Sequence, residues 1–247
     1  MHHDGDTAVH GLPPEAKIAA TVAFVFAVVA TPREAAWAFG LDALVLAGVA
    51  RLARLPARLA LQRLRIELPF LAFAVFMPIV GAAPRVDVLA VSLSEPGLWA
   101  AWNIVVKGTL GVLAAIILAA TTPVTELLAG LERLRVPRVL TAIAGFMVRY
   151  LDVINSEAAR MRVARLSRGY DPRWIWQARA IAATGGTMFV RSYERGERVY
   201  LAMCSRGYNG SMPELHHHAA QPHAWRTVAS VPALAVLFMV VARVVVA

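Results

Sequence analysis

The sequence predicts an all-α polytopic membrane protein of about five transmembrane helices, with a cytoplasmic helical domain inserted before the last of them. Three observations carry this. Apolar residues make up 58% of the chain and mean hydropathy is +0.57, far above a soluble domain. They gather in runs at 18–30, 35–50, 66–83, 98–122 and 228–247. The net charge of +9, with a pI near 10.7, rests almost wholly on arginine and is spread unevenly among the connecting segments. In a membrane protein such a bias reports topology before it reports nucleic-acid binding, because cytoplasmic loops collect Arg and Lys. No nucleic-acid partner is expected.

The lone Cys204 excludes an intramolecular disulfide and a cysteine cluster for metal. No cleavable signal peptide is expected. Residues 1–10 are polar, and the first apolar run lacks a basic leader and a small-residue cleavage site.

The first two runs are shorter than the roughly 20 residues a perpendicular span requires. Arg51, Arg54, Arg58, Arg63 and Arg65 follow with no acid among them, which marks a cytoplasmic loop lying on the membrane surface. The third run carries Pro69 and Pro78, tolerable in a span where neighbours satisfy the freed carbonyls. The loop over 84–96 holds Arg85, Asp87 and Glu95 and belongs outside. The fourth run opens with Trp99 and Trp102, as an interfacial belt does, and encloses Asn103 and Lys107 one turn apart. An ammonium inside a span invites a functional reading, but snorkelling or pairing with a neighbouring helix is favoured for Lys107.

From Thr122 the character changes. Thr122 and Pro123 form a helix start, with Glu126 near the positive end of its dipole. Pro137 restarts the chain in a second amphipathic helix through Leu140, Ile143, Met147, Leu151 and Ile154. On it Arg149 and Asp152 are spaced to pair. Asp171 and Pro172 open a third helix, expected to break or thin at Gly185 and Gly186, with Glu194 and Arg198 in the favourable i,i+4 order. From Thr122 to Trp225 there are 14 Arg against 8 Asp and Glu, which belongs inside the cell. The domains are therefore 1–122 in the membrane, 123–224 in the cytoplasm and 225–247 as the final span. The N-terminus is cytoplasmic.

One phrase occurs twice in the cytoplasmic stretch. Ser167-Arg168-Gly169-Tyr170-Asp171 returns as Ser205-Arg206-Gly207-Tyr208-Asn209, with Ala164 and Ala202 three residues ahead of the respective copies. Arginine in a last turn followed by glycine is helix-ending chemistry. A single copy reads as a cap. Two copies in one basic loop point to a paired contact surface.

The chain resembles the CbiQ branch of the energy-coupling-factor (ECF) transmembrane T components, subunits of bacterial ABC importers. The likeness rests on Thr121-Thr122-Pro123 with Glu126, Leu131, Arg133, Leu134 and Pro137, on Phe146, Arg149 and Tyr150, and on 189–210 with Arg198, Ala202, Arg206, Gly207 and Gly210. It covers essentially the whole chain and is strongest over 121–210. The usual Ala-Arg-Gly triplet stands here as Ser-Arg-Gly in both copies. The resemblance implies crossed coupling helices in the cytoplasmic domain and a bacterial cell-membrane location. It implies that Ser167, Arg168, Gly169, Ser205, Arg206 and Gly207 contact two ABC ATPases, and that a small metal-binding S component captures cobalt or nickel. ATP is then used by the partner ATPases, and no cofactor is bound by this chain. Without a Walker-type phosphate loop the chain is not itself the ATPase.

The apolar positions Ile143, Met147, Phe189 and Tyr193 are candidates for holding the S component. His2, His3 and His10, and His216, His217, His218 with His223, are disfavoured as metal ligands because both groups lie in polar cytoplasmic segments. An intramembrane enzyme is disfavoured too, since the spans offer little beyond Lys107, Asn103 and scattered threonines. The nearest rival is a T component shared among vitamin-binding S components. A non-enzymatic scaffold for another cytosolic partner is a further alternative.

Overall fold

Helix α1 (Pro14–Ala30) begins with proline in its first turn and Glu15 at the positive end of its dipole. It ends where the Thr31 hydroxyl donates to the Ala27 carbonyl at 2.9 Å. The computed structural model describes residues 7, 9–56, 58, 62–81, 84–88, 91–170, 179–210 and 222–246. After α1 come α2 (Ala36–Leu52), a 3-10 turn (Leu64–Glu67) leading into α3 (Leu68–Val80), and α4 (Glu95–Thr121). The remainder is α5 (Val124–Arg133), α6 (Arg138–Ser167), α7 (Arg179–Cys204) and α8 (Pro222–Val246). The protein is thus an all-α membrane-type fold with one small exception.

That exception falls where a plain outer loop was expected. Residues Arg85–Val88 and Val91–Ser94 form an antiparallel hairpin, β1 and β2, with Arg85 opposite Ser94 and Val88 opposite Val91. Valine at 86, 88 and 91 suits a strand better than a loop. Ser94 then caps α4, its side chain accepting from the Gly97 N–H at 3.2 Å, so the helix starts at Glu95 rather than at 98.

Two compact units divide the chain. The first comprises Met1–Leu134 with His218–Ala247, and the second Arg135–His217. In the first unit Phe24 and Val28, one turn apart on α1, meet Phe39 and Leu46 of α2, Leu110 and Ala114 of α4 and Ala235 of α8. The last helix of the chain thereby closes the core begun by the first. Helix α5 also belongs here by packing, although the membrane-to-cytoplasm division was expected at 122. A Cβ on Gly130 would sit 2.9 Å from the Glu15 nitrogen, so only glycine permits this approach to α1. Arg133 fixes it with an ion pair to Glu15 at 3.3 Å.

The two lysines of the sequence hold α1 and α4 together in antiparallel fashion. Lys107 on α4 donates to the carbonyls of Val29 (2.8 Å) and Thr31 (2.9 Å) at the C-terminal end of α1. Lys17 on α1 donates to the Thr121 carbonyl that ends α4 (3.3 Å), to the Thr122 hydroxyl (3.3 Å) and to the His10 carbonyl (3.0 Å). Each ammonium satisfies carbonyls that a helix end leaves without partners and complements the negative end of its dipole. Lys107 therefore has the structural partner expected of it. Thr122, expected to cap α5, is engaged by Lys17 instead. Pro123 occupies the cap position with no side-chain hydrogen bond.

Among the described residues three helices are long and apolar enough to cross a membrane: α4, α8 over Ala224–Val245, and α6. Helices α1 and α2 have 17 residues and α3 has 13. At 1.5 Å per residue these reach only about 25 and 20 Å, against a hydrocarbon core of roughly 30 Å. The fourth and fifth apolar runs are thus helices of spanning length, and the first three are shorter. Helix α6 qualifies by length and composition in a stretch assigned from sequence to the cytoplasm. Its apolar residues concentrate before Glu157, and Arg160, Arg162 and Arg165 follow.

Candidate functional site

The second unit is built on α6 and α7. Arg191 and Arg195, one turn apart on α7, donate to the two oxygens of Glu157 on α6 at 3.0 and 3.1 Å. Further along α6, Arg165 donates to the Thr184 hydroxyl at 3.3 Å. Helix α7 runs without interruption through Gly185 and Gly186, where a break was expected. Each glycine costs a helix interior about 1 kcal/mol, and contacts to α6 at Thr184 on one side and Arg191 on the other hold the segment helical. The third helix start expected at Asp171 and Pro172 lies outside the described residues. Arg149 and Asp152 are both exposed and, among the described residues, form no ion pair. Glu194 and Arg198 approach to 4.0 Å.

Both copies of the repeated phrase close their helices with the same hydrogen bonds. At the end of α6 the Gly169 N–H donates to the Leu166 carbonyl (2.9 Å) and the Tyr170 N–H to the Arg165 carbonyl (3.2 Å). At the end of α7 the Gly207 N–H donates to the Cys204 carbonyl (3.0 Å) and the Tyr208 N–H to the Met203 carbonyl (3.0 Å). This is the Schellman pattern twice over. The glycines take φ of +75° and +84°, the left-handed region that a side chain disfavours. The serines correspond as well. The Ser167 hydroxyl donates to the Ala164 carbonyl (3.0 Å) and the Ser205 hydroxyl to the Ala202 carbonyl (2.9 Å).

Each motif therefore presents its arginine in the same way. Arg168 and Arg206 occupy the last position before the left-handed glycine and are exposed, and among the described residues their guanidinium groups make no hydrogen bond or ion pair. All six residues singled out from sequence thus fall in two matching helix ends. Serine in place of the usual alanine adds a hydroxyl that folds back onto its own helix. Glu157 was missed from sequence. Its signal was available, as the one acid between Asp152 and Asp171 in a segment with four arginines.

The apolar faces of this unit are uncovered. Ile143, Met147, Tyr193 and Phe189 are 52%, 67%, 61% and 72% exposed, so they do not serve packing within the unit. Metal ligation has a narrower basis. Among the described residues no group of three or more His, Cys, Asp or Glu gathers as a metal site. The His10 Nδ1 is hydrogen-bonded to the Thr7 hydroxyl at 2.6 Å. His2, His3, His216, His217 and His218 lie outside the described residues, and nothing is described of the His223 side chain.

Long apolar helices around one core, together with a second unit carrying two matched arginine-tipped helix ends, define a helical membrane protein. The sequence model of the family described as "CbiQ: Cobalt transport protein" matches residues 5–217. The chain belongs to that family. It is 35% identical over 96 residues to the cobalt transport protein CbiQ of Rhodobacter capsulatus, covering 38% of this chain and 39% of that one. It is 29% identical over 221 residues to the energy-coupling factor transporter transmembrane protein EcfT of Thermanaerovibrio acidaminovorans, covering 84% and 81%. An uncharacterized protein of Methanocaldococcus jannaschii is 27% identical over 181 residues, covering 68% and 61%. The chain thus spans less than two thirds of the length of two of these three relatives.

Proposed function

We propose that this chain is the transmembrane coupling subunit of an ECF-type ABC importer, with Arg168 and Arg206 docking on two cytosolic ATPases. One observation carries the reading. Two helix ends, 38 residues apart in sequence, present an unpartnered guanidinium through the same backbone and serine hydrogen bonds. One such end is a cap, whereas a matched pair suits a partner that itself comes in two copies or two similar halves. A guanidinium offers a planar fork of donors to acidic groove residues, and once desolvated such a pair resists sliding. ATPase closure then becomes motion of α6 and α7. The exposed face with Ile143, Met147, Phe189 and Tyr193 is the candidate contact for a small metal-binding S component. The cargo is cobalt or nickel, and this chain acts without catalysing a reaction.

The test is purification of the tagged full-length chain from its native membrane, wild type beside Arg168→Ala/Arg206→Ala. Wild type should bring down ABC ATPases and a small membrane partner, and the double variant should lose the ATPases and metal uptake. Normal recovery and uptake in the variant would remove the assignment. The likeness over 84% of the chain to a transmembrane protein whose name states no cargo favours one second reading. In it the chain is a shared T component, and the co-purifying partners would be vitamin-binding proteins.

A further inference from the structure

The first unit contains a cavity of about 540 Å³ lined by residues of α1, α2, α4 and α8, among them Thr21, Leu46, Ile117, Thr227 and Val228. It sits at one end of the bundle, where α1 and α8 begin and α2 and α4 finish. The volume is that of a small-molecule site, roughly 300–1,000 Å³. Its wall is mainly apolar. The hydroxyls in its wall all donate to carbonyls of their own helices: Thr21 to Lys17, Thr121 to Ile117, Thr227 to Ala224 and Ser230 to Thr227. Lys17, the one cation in the wall, has its donors engaged by His10, Thr121 and Thr122. The wall therefore offers a ligand hydrocarbon contact, and among the described residues its hydroxyl and ammonium donors are engaged.

Arginines adjoin this wall in sequence. Arg51 and Arg54 flank the wall residue Leu52, and Arg226 adjoins Thr227. All three are exposed, and among the described residues none makes a hydrogen bond or ion pair. An apolar wall whose lining residues are neighboured by exposed arginines is the complement of an amphiphile with an anionic head. In a membrane protein the molecule of that chemistry supplied by the surroundings is an anionic phospholipid. Arg51 and Arg54 belong to the basic stretch assigned from sequence to the cytoplasmic face, where anionic headgroups attract basic segments at about 1 kcal/mol per Lys or Arg.

We propose that this cavity binds the acyl chain of one anionic phospholipid, with its phosphate held by Arg51, Arg54 and Arg226. The inference uses membrane residence alone and stands apart from the coupling role of Arg168 and Arg206.

Native mass spectrometry of the detergent-solubilised full-length chain, offered equal phosphatidylglycerol and phosphatidylcholine, tests it. Wild type should retain one phosphatidylglycerol in at least fivefold preference. Arg51→Gln/Arg54→Gln/Arg226→Gln should abolish the preference, and Ala20→Phe, which fills the wall, should abolish retention of either lipid. Arg85→Gln, on the hairpin, should leave both unchanged. A second measurement needs no variant. Raising ammonium acetate from 100 mM to 500 mM should weaken phosphatidylglycerol retention by wild type and leave phosphatidylcholine unmoved. Equal retention of the two lipids by wild type, or equal loss in the Arg51→Gln/Arg54→Gln/Arg226→Gln and Arg85→Gln variants, would overturn the proposal.

Discussion

The cations that join helices in the first unit and those at the helix tips of the second are used in opposite ways. In the first, Lys17, Lys107 and Arg133 turn inward, each satisfied by a helix-end carbonyl, a hydroxyl or a carboxylate, and they join helices distant in sequence. In the second, the Arg168 and Arg206 side chains stand exposed at helix ends and among the described residues make no hydrogen bond or ion pair, and the same unit carries exposed apolar side chains. A membrane-embedded bundle satisfies its polar groups internally because lipid offers no partners. On the coupling role proposed above, the exposed tips keep their donors for another chain. The difference separates residues that join helices from residues held out at helix ends.

Substitutions at the arginine tips should give the largest effect and the sharpest contrast. Arg168→Ala/Arg206→Ala should abolish ATPase recovery and uptake, since removing one member of a desolvated charge pair costs roughly 2–5 kcal/mol. Thermal unfolding of the isolated chain should not move, because neither side chain makes a bond among the described residues. Arg→Lys at the same positions should restore part of the recovery, as a point charge replaces a fork. A fall in Tm with the double alanine variant would break the distinction between the units.

The lysines should behave in reverse. Lys17→Met leaves the Thr121 carbonyl and Thr122 hydroxyl without their buried donor, a loss of about 1–3 kcal/mol. Lys107→Met should cost a similar amount through the end of α1. Unfolding of the purified chain in detergent should report both losses, while the ATPases are still recovered at the temperature where the variant remains folded. Gly169→Ala and Gly207→Ala come next, each near 1 kcal/mol. A Cβ at either site meets no atom within 4 Å, so the cost is one of backbone conformation alone. The expected readout is weakened ATPase recovery, because the glycine sets the direction of the arginine before it.

Much of this was legible because it is local. The helix endings at 169 and 207 follow from arginine, glycine and the repeat itself. The apolar runs announced a membrane protein through composition. What escaped was relational. The strand propensity of 85–94 was read as loop because the segment was judged by charge rather than by alternation. The continuity of α7 through Gly185 and Gly186 depends on α6, which no window on α7 contains. Partners for Lys17 and Lys107 lie 104 and 76 residues away, beyond any periodicity. The approach of α5 to α1 depended on a glycine that looked ordinary in its own helix.

The smallest effect is expected at Glu157, where the contrast between the units is least clear. Its carboxylate joins α6 to α7 through Arg191 and Arg195, so it is the second unit's nearest counterpart to the first unit's internal pairs. Both guanidiniums are well exposed, at 56% and 36%, so water and salt compete for them. Glu157→Gln should therefore leave global unfolding almost unchanged while loosening the contact between the two helices. Amide hydrogen exchange along 179–195 should rise in the variant at low salt. Wild type at 1 M salt should approach the same exchange, because screening weakens both pairs without removing the carboxylate. If Glu157→Gln instead unfolds the unit cooperatively, this pair holds the fold as Lys17 does, and the second unit is less purely a contact surface than its tips suggest.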